Sequence, residues 1–201
     1  MLREDPLLET YMAKSDVATR ASVLGHLGWT LMNSEEVDDE ILRNARSLWD
    51  WRANAVRLEL TTPQELHGFY WWVRSAKFDP SWWLPRLQQV ADDAAFQPMG
   101  MIGGPLEDAA HEHAGEALDI LTRLLRRQED RHFTRHDLIR HAPGVIAAAL
   151  ASSQPDVRRD AQELMDSLAR AGHVNMRDLV GQVQQSRPPT TEPPAPSQIP
   201  D

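Results

Sequence analysis

Histidine is a common ligand of zinc and related metals, and two stretches of this chain contain several histidines. The chain has eight histidines, and five of them lie in these stretches: His111, His113, His132, His136 and His141. His111 and His113 are two residues apart, so on a helix they would face different directions, and the His-Glu-x-x-His pattern is absent. Thr134 is predicted to cap a helix, which places His132 before it. We therefore predict no metal site and no cofactor, and interpret these histidines as surface or interface residues.

A second group of residues with chemical potential is an arginine-rich stretch, the most basic part of the chain. Arginine binds phosphate in a bidentate manner, so the stretch is a candidate contact for nucleic acid or a partner. Its candidate contact residues are Arg123, Arg126, Arg127, Arg131 and Arg135. Arg140 follows them, and Glu129, Asp130 and Asp137 lie among them. The interleaved acids favour a salt-bridged helix end as the main interpretation.

Catalytic residues do not stand out from the sequence. Acidic pairs such as Glu35-Glu36 and Asp38-Asp39 precede an apolar helical pattern. Their position is explained by capping and by the helix dipole. No serine or histidine lies in a recognisable nucleophile motif. We therefore predict that the chain is not an enzyme.

Composition sets further limits on the function. The 201 residues include 30 acidic and 21 basic side chains, a net charge of −9, which is the wrong sign for coating nucleic acid or an anionic membrane. The absence of cysteine excludes disulfide frameworks and thiol catalysis. The first residues, Met1–Tyr11, carry acids where a signal peptide needs bases, and the apolar run Val145–Ala151 is far shorter than the ~20 residues of a membrane span. These features predict a cytoplasmic protein without a membrane partner.

The elements that must position these side chains are predicted to be helices. Apolar residues recur at helical spacing in every periodic segment, and no comparable run alternates with period two. Helix starts are indicated by Thr62-Pro63-Gln64-Glu65, read as a capping box, by Asp79-Pro80, and by Gly104-Pro105 before a long helix to about Arg127. Gly172 is read as a C-cap. The sequence predicts an all-α fold of about eight or nine antiparallel helices.

The chain end differs in composition. Residues 186–201 hold six of the fourteen prolines and no apolar periodicity. Such a segment cannot bury enough surface to offset the entropy of ordering. We predict a helical domain over residues 1–185, followed by a disordered proline-rich tail over residues 186–201.

Two segments of the chain are alike. Asp16–Leu24 and Asp156–Leu164 share an aspartate, a valine, an alanine and a leucine at identical offsets. The pattern resembles the second helix of HEAT-like repeats, in which an aspartate caps a helix that packs on the neighbouring hairpin. The resemblance implies a HEAT-like α-solenoid, an architecture that presents an extended binding surface.

The tryptophans are concentrated in the first half of the chain. All seven lie between Trp29 and Trp83, most densely in Phe69–Leu84. Adjacent tryptophans on a helix point about 100° apart, so each pair can face two packing surfaces. We interpret the block as a structural aromatic staple. The alternative interpretation is an aromatic platform that binds a ligand. The staple consists of Trp71, Trp72, Phe78, Trp82 and Trp83.

The block also carries a family resemblance. The features that carry it are Leu48–Arg52, the Trp71-Trp72 pair, the Ser-x-Lys-Phe-Asp stretch Ser75–Asp79 and the Trp82-Trp83 pair. Together they resemble the C-terminal helical-repeat region of large bacterial anti-phage proteins, including STAND-type NTPases. The resemblance covers about Leu7–Val180. The chain departs from that family because it has neither a nucleotide-binding domain nor an effector domain. It implies a detached sensor or scaffold module that recognises a foreign protein or nucleic acid, and it brings no catalytic residue.

The sequence therefore predicts a non-catalytic protein-interaction module. Its expected partner is a protein, such as a separately encoded NTPase or effector. A start at Met1 would leave the first apolar face without a preceding repeat, so we also expect a homodimer as one outcome. The alternative function is a nucleic-acid-binding helical repeat that uses the Arg123–Arg140 stretch. The third and weakest alternative is a small helical hydrolase with a histidine–carboxylate metal site.

Overall fold

The computed structural model describes residues 6–93, 96, 101–127, 132–173 and 176–186. Within these ranges all regular secondary structure is helical, as the apolar periodicity predicts. The ten α-helices are α1 (Pro6–Lys14), α2 (Val17–Asn33), α3 (Asp39–Arg57), α4 (Phe69–Arg74), α5 (Pro80–Val90), α6 (Gly103–Ala109), α7 (Ala114–Arg126), α8 (His132–Leu150), α9 (Pro155–Arg170) and α10 (Met176–Ser186). One turn of 3₁₀-helix, Pro63–Leu66, precedes α4. The predicted all-α class is confirmed.

Two predicted helices have different boundaries in the structure. The long helix expected from Gly104 to about Arg127 is broken by a turn at residues 110–113, which separates α6 from α7. Thr62-Pro63 begins one 3₁₀ turn instead of a full helix, and the Thr62 side chain caps no backbone N–H. Because of such breaks, the described residues contain more helices than the eight or nine expected.

Helix capping follows the sequence in part. The carboxylate of Asp16 accepts from the backbone N–H of Thr19 at 2.7 Å, and that of Asp79 accepts from Ser81 at 2.8 Å. Gly172 has a φ of +101° just after the C-cap of α9, as a helix-ending glycine should. The look-alike Asp156 was expected to cap α9, but it lies inside the first turn, after Gln154 at the N-cap and Pro155.

The first half of the chain packs around α2. This helix lies against the 3₁₀ turn and α4, and α3 packs on the same turn. The interior is aromatic, with Trp49, Phe69 and Trp72 almost completely buried. Large flat rings therefore fill the space between α2, α3, α4 and α5.

The second half of the chain packs around α8, which contacts α6, α7, α9 and α10. Buried residues occupy nearly every position of α8 from Ala142 to Ala149, as expected for a helix surrounded by others. The contact of α5 with α7 joins the two halves.

No helix among the described residues is both long and apolar enough to cross a lipid bilayer. The predicted tail, apart from Ser186, lies outside the described residues. Ser186 itself is the last residue of α10.

Candidate functional site

The aromatic block divides between the interior and the surface. Trp72 packs on Trp49 and Phe78 with ring centroids 5.2 and 5.7 Å apart. Trp82 is partly buried and lies 4.7 Å from Phe78, and Trp83 is buried. Trp71 contacts Tyr70 and remains partly exposed. Four of the five staple residues thus pack into or against the core, whereas Trp71 lies at a surface groove.

That groove, which we call the α2–α4 groove, runs between α2 on one side and the 3₁₀ turn and α4 on the other. Its volume is about 810 Å³. Its wall on α2 consists of Ala18, Ala21, Ser22, Gly25, His26 and Trp29, and its opposite wall consists of Gln64, His67, Gly68, Tyr70 and Trp71. The α2 positions recur every three or four residues, so they form one stripe along the helix. None of the lining residues is an aspartate, glutamate, lysine or arginine.

Two close approaches between helices set the depth of the groove. A Cβ atom on Gly68 would lie 2.6 Å from the Cα of Gly25, so the backbones touch there. A Cβ on Gly28 would lie 2.5 Å from Cδ1 of Trp72, whose indole N–H donates to the carbonyl of Leu24 at 2.9 Å. Glycines at these positions let α2 and α4 approach closely, and the large residues at their surface form the rims.

Trp29 forms the most prominent part of the rim. Its side chain is 49% exposed, although a tryptophan is usually largely covered. His26 lies one turn before it, and its Nδ1 donates to the carbonyl of Ser22 at 3.1 Å. Across the groove, burial raises the pKa of Tyr70, so its hydroxyl stays neutral at ordinary pH. The groove presents aromatic and apolar surface with few polar groups.

A buried ion cluster, Arg20–Glu65–Arg52, holds the walls of this groove in place. Glu65 is fully buried. Its Oε2 accepts from Nε of Arg20 at 2.9 Å and from Nη2 of Arg52 at 3.0 Å, and its Oε1 pairs with Nε of Arg52. Thr61 also donates to Oε2, at 2.7 Å. The cluster links α2, α3 and the 3₁₀ turn, and so fixes the residues next to Gln64 in the groove.

The charge state of Glu65 follows from these partners. Desolvation by burial favours the protonated carboxyl, but hydrogen bonds from Arg52, Thr61 and Arg20 outweigh it and lower the pKa. Every side-chain oxygen of Glu65 is engaged, and the group is inaccessible, so it is a structural ion pair and not a catalytic acid. The sequence interpretation of Glu65 as the last residue of a capping box was wrong. No local pattern signals its ion pairs, because its two arginine partners lie 13 and 45 residues away.

Two of the described arginines of the stretch are paired within the chain. Arg123 pairs with Asp119 and with Asp92, both at 2.9 Å. Arg127 donates to the backbone carbonyl of Phe96 at 2.7 Å. Arg131 lies outside the described residues.

Arg126 and Arg135 line a groove between α7 and α9 of about 740 Å³. Its wall also carries four carboxylates, those of Asp119, Asp160, Glu163 and Asp166. Arginines and acids therefore face the same space, and the surface is of mixed charge.

The histidines occupy separate places. His132 is the first residue of α8, so the prediction that it precedes the helix was wrong. His141 lies on the same helix and its Nδ1 is 2.6 Å from Oε2 of Glu107 on α6. His111 lies in the turn after α6 and is exposed. Among the described residues, no three histidine, aspartate or glutamate side chains are arranged to hold a metal ion.

Comparisons with protein-family models, with curated proteins and with solved structures find no match to this chain. The resemblance to helical-repeat regions of bacterial defence proteins therefore rests on its own residues and stays a prediction.

Proposed function

We propose that this chain is a non-catalytic protein-interaction module whose α2–α4 groove receives an apolar helix of a protein partner. The observation that carries the proposal is the groove itself, an uncharged depression of about 810 Å³ with Trp29 half exposed at its rim. Exposed apolar depressions of this kind mark interaction sites.

The dimensions of the groove suit a helix. From Ala18 to Trp29, twelve residues and eleven steps along α2, its length is about 16 Å at the helical rise. That length corresponds to about three helical turns. Small residues in the middle of the α2 stripe allow a partner backbone to approach, and tryptophan and tyrosine are the side chains that most often dominate binding energy.

The resemblance noted in the sequence gives this module its context. A HEAT-like solenoid whose first helices carry the docking groove would fit a detached sensor or scaffold part of a bacterial defence-type protein. A separately encoded NTPase or effector in the cytoplasm is the partner that the resemblance implies.

The test is capture with matched variants. The tagged chain is used to capture proteins from the cells that encode it, alongside Trp29→Ser and Leu60→Ser. Leu60 is 76% exposed and does not line the groove, so it controls for the loss of an exposed apolar side chain. We expect a protein that binds the wild type and Leu60→Ser and is lost with Trp29→Ser. Identical capture by all three chains would contradict a role for the groove.

The alternative, a nucleic-acid-binding helical repeat, is tested in the same experiment. Nucleic acid that elutes as salt rises and is lost with Arg126→Glu would favour it, because phosphate contacts are salt-dependent. The mixed charge of the α7–α9 groove and the internal pairing of Arg123 argue for the protein partner.

A further inference from the structure

We propose that the α2–α4 groove binds α2 of a second copy of this chain, in a twofold-symmetric pair with the two α2 helices antiparallel. The inference rests on the proposed function, because it takes the groove as a protein-docking surface and names its occupant. It is argued from the way bulk and charge are distributed along the groove.

The side chains that line the two ends of the groove differ in size. The segment 64–77 runs beside α2 in the same direction, since Gly68 meets Gly25 and Nζ of Lys77 reaches the carbonyl of Glu35 at 2.9 Å. The end near the start of α2 is therefore lined by small side chains on that helix, Ala18 and Ala21. The other end is aromatic, with Trp29 on α2 and Trp71 on α4.

A twofold axis brings unlike ends together. In an isologous dimer the same patch serves both copies, so it must be complementary to itself when reversed. With the axis midway between Ser22 and Gly25, Trp29 of each copy faces Ala18 of the other, and His26 faces Ala21. Ser22 and Gly25 face each other at the centre. All six α2 residues of the groove are thereby paired, large against small, and the centre stays narrow enough for helices to touch.

Charge favours the same contact. The chain has a net charge of −9, so two copies repel each other over most of their surface. Between Ala18 and Trp29, α2 carries a single charged side chain, Arg20, which pairs with the buried Glu65 and does not line the groove. Two acidic chains can therefore approach along this face without bringing like charges together.

The first test is the oligomeric state of the full chain. A contact about 16 Å long is small by the standards of stable dimers, so we expect a dissociation constant in the micromolar range. Sedimentation equilibrium from about 1 to about 300 µM should show a reversible dimer. Trp29→Ser should weaken it by about tenfold or more, because this tryptophan is the largest side chain of the contact. Leu179→Ser, a loss of similar exposure on α10, should leave it unchanged.

The second test places the contact on the molecule. The chain contains no cysteine, so one introduced thiol is unique. Ser22→Cys lies next to the proposed axis, whereas Ser167→Cys is an exposed control on α9. A short bis-maleimide should link Ser22→Cys into a covalent dimer much faster than it links Ser167→Cys.

Either of two results would overturn the inference. One is a chain that stays monomeric over the whole concentration range while Ser22→Cys cross-links no faster than Ser167→Cys. The other is a dimer that Trp29→Ser does not weaken. A monomer that still captures another protein through Trp29 would refute the dimer and leave the proposed function standing. A monomer without such capture would count against both.

Discussion

The two halves of this molecule are both helical, yet their interiors are built differently. In α1–α5 the core contains stacked tryptophan and phenylalanine rings, two close glycine contacts with α2 and a fully buried glutamate. In α6–α10 the core consists of alanine, leucine, isoleucine, valine and methionine around α8, and Gly103 and Gly144 make close contacts between α6 and α8. The ion pairs of α9 and α10, such as Arg159–Asp156, are mostly exposed to solvent.

The proposed docking groove lies in the first half. Large rings, a close backbone approach at Gly25 and Gly68 and paired buried charges fix the first half in one arrangement, with aromatic side chains left at its rim. The aliphatic core of the second half should tolerate volume-conserving exchanges at small cost. Matched substitutions in the two halves should therefore change the free energy of unfolding by different amounts.

The largest expected effect is in the buried ion cluster. Glu65→Gln leaves the Arg20 and Arg52 side chains, 12% and 10% exposed, facing an uncharged group. Loss of one partner of a buried pair is strongly destabilising, so we expect the free energy of unfolding to fall by about 3 kcal/mol. Asp160→Asn on α9 removes an exposed partner of Arg159 and should change the free energy of unfolding little. Urea denaturation measures both, and equal losses would mean that the cluster does not distinguish the halves.

Acid should weaken the same cluster. Because the pKa of Glu65 in the folded protein lies below its ordinary value of 4.5, its contribution to stability is full above pH 4.5. That contribution is lost as the pH falls through the lowered pKa, since protonation then breaks the pairs. We expect the free energy of unfolding to fall on acidification below pH 4.5, and to fall less steeply in Glu65→Gln. Parallel pH curves for the two proteins would contradict this account.

Two glycine substitutions should have opposite signs, one at the contact of α2 with α4 and one at an open position of α10. Gly68→Ala places a Cβ 2.6 Å from the Cα of Gly25, and we expect a loss of about 2 kcal/mol as α2 and α4 are pushed apart. Gly181→Ala, inside α10, meets nothing within 4 Å and should stabilise the chain by about 0.5–1 kcal/mol through its helix propensity. Chemical denaturation of both variants checks the signs. A neutral Gly68→Ala would show that the groove is not held by backbone contact.

The smallest effect concerns the two look-alike segments. Asp16 caps α2 through the N–H of Thr19, whereas Asp156 pairs with Arg159 inside the first turn of α9. We expect Asp16→Ala to lower the midpoint of thermal unfolding by a few degrees. Asp156→Ala should change it less, because an exposed ion pair contributes little. Calorimetry on the two variants tests whether similar sequences have different roles.

The helical class was predictable because apolar periodicity depends on residues close together in the chain. The stripes that include Leu24, Leu48 and Leu121 all lie on helices with these residues buried. Break points were harder to predict. Gly104-Pro105 does lie in the first turn of a helix, but that helix ends at Ala109, before the stripe of α7 begins.

The candidate site was predicted less well. Clustering of the tryptophans drew attention to Trp71 and Trp72, and the sequence could state that adjacent rings face different sides. It did not reveal that Trp71 would join Trp29, 42 positions earlier, at one groove. It also assigned Glu65 to a local cap, because the capping-box spacing fits and the distant arginines are invisible to a local pattern.

By itself the sequence determined the helical class, the capping of α2 and α5 by Asp16 and Asp79, and the aromatic character of the first half. Each of these depends on neighbours within about one helical turn. Tertiary structure alone decided which tryptophans are buried, that Glu65 lies between two arginines, and that α2 and α4 enclose a groove. Those outcomes depend on how closely helices approach, and close approach is set by side chains and glycines that are distant in the chain.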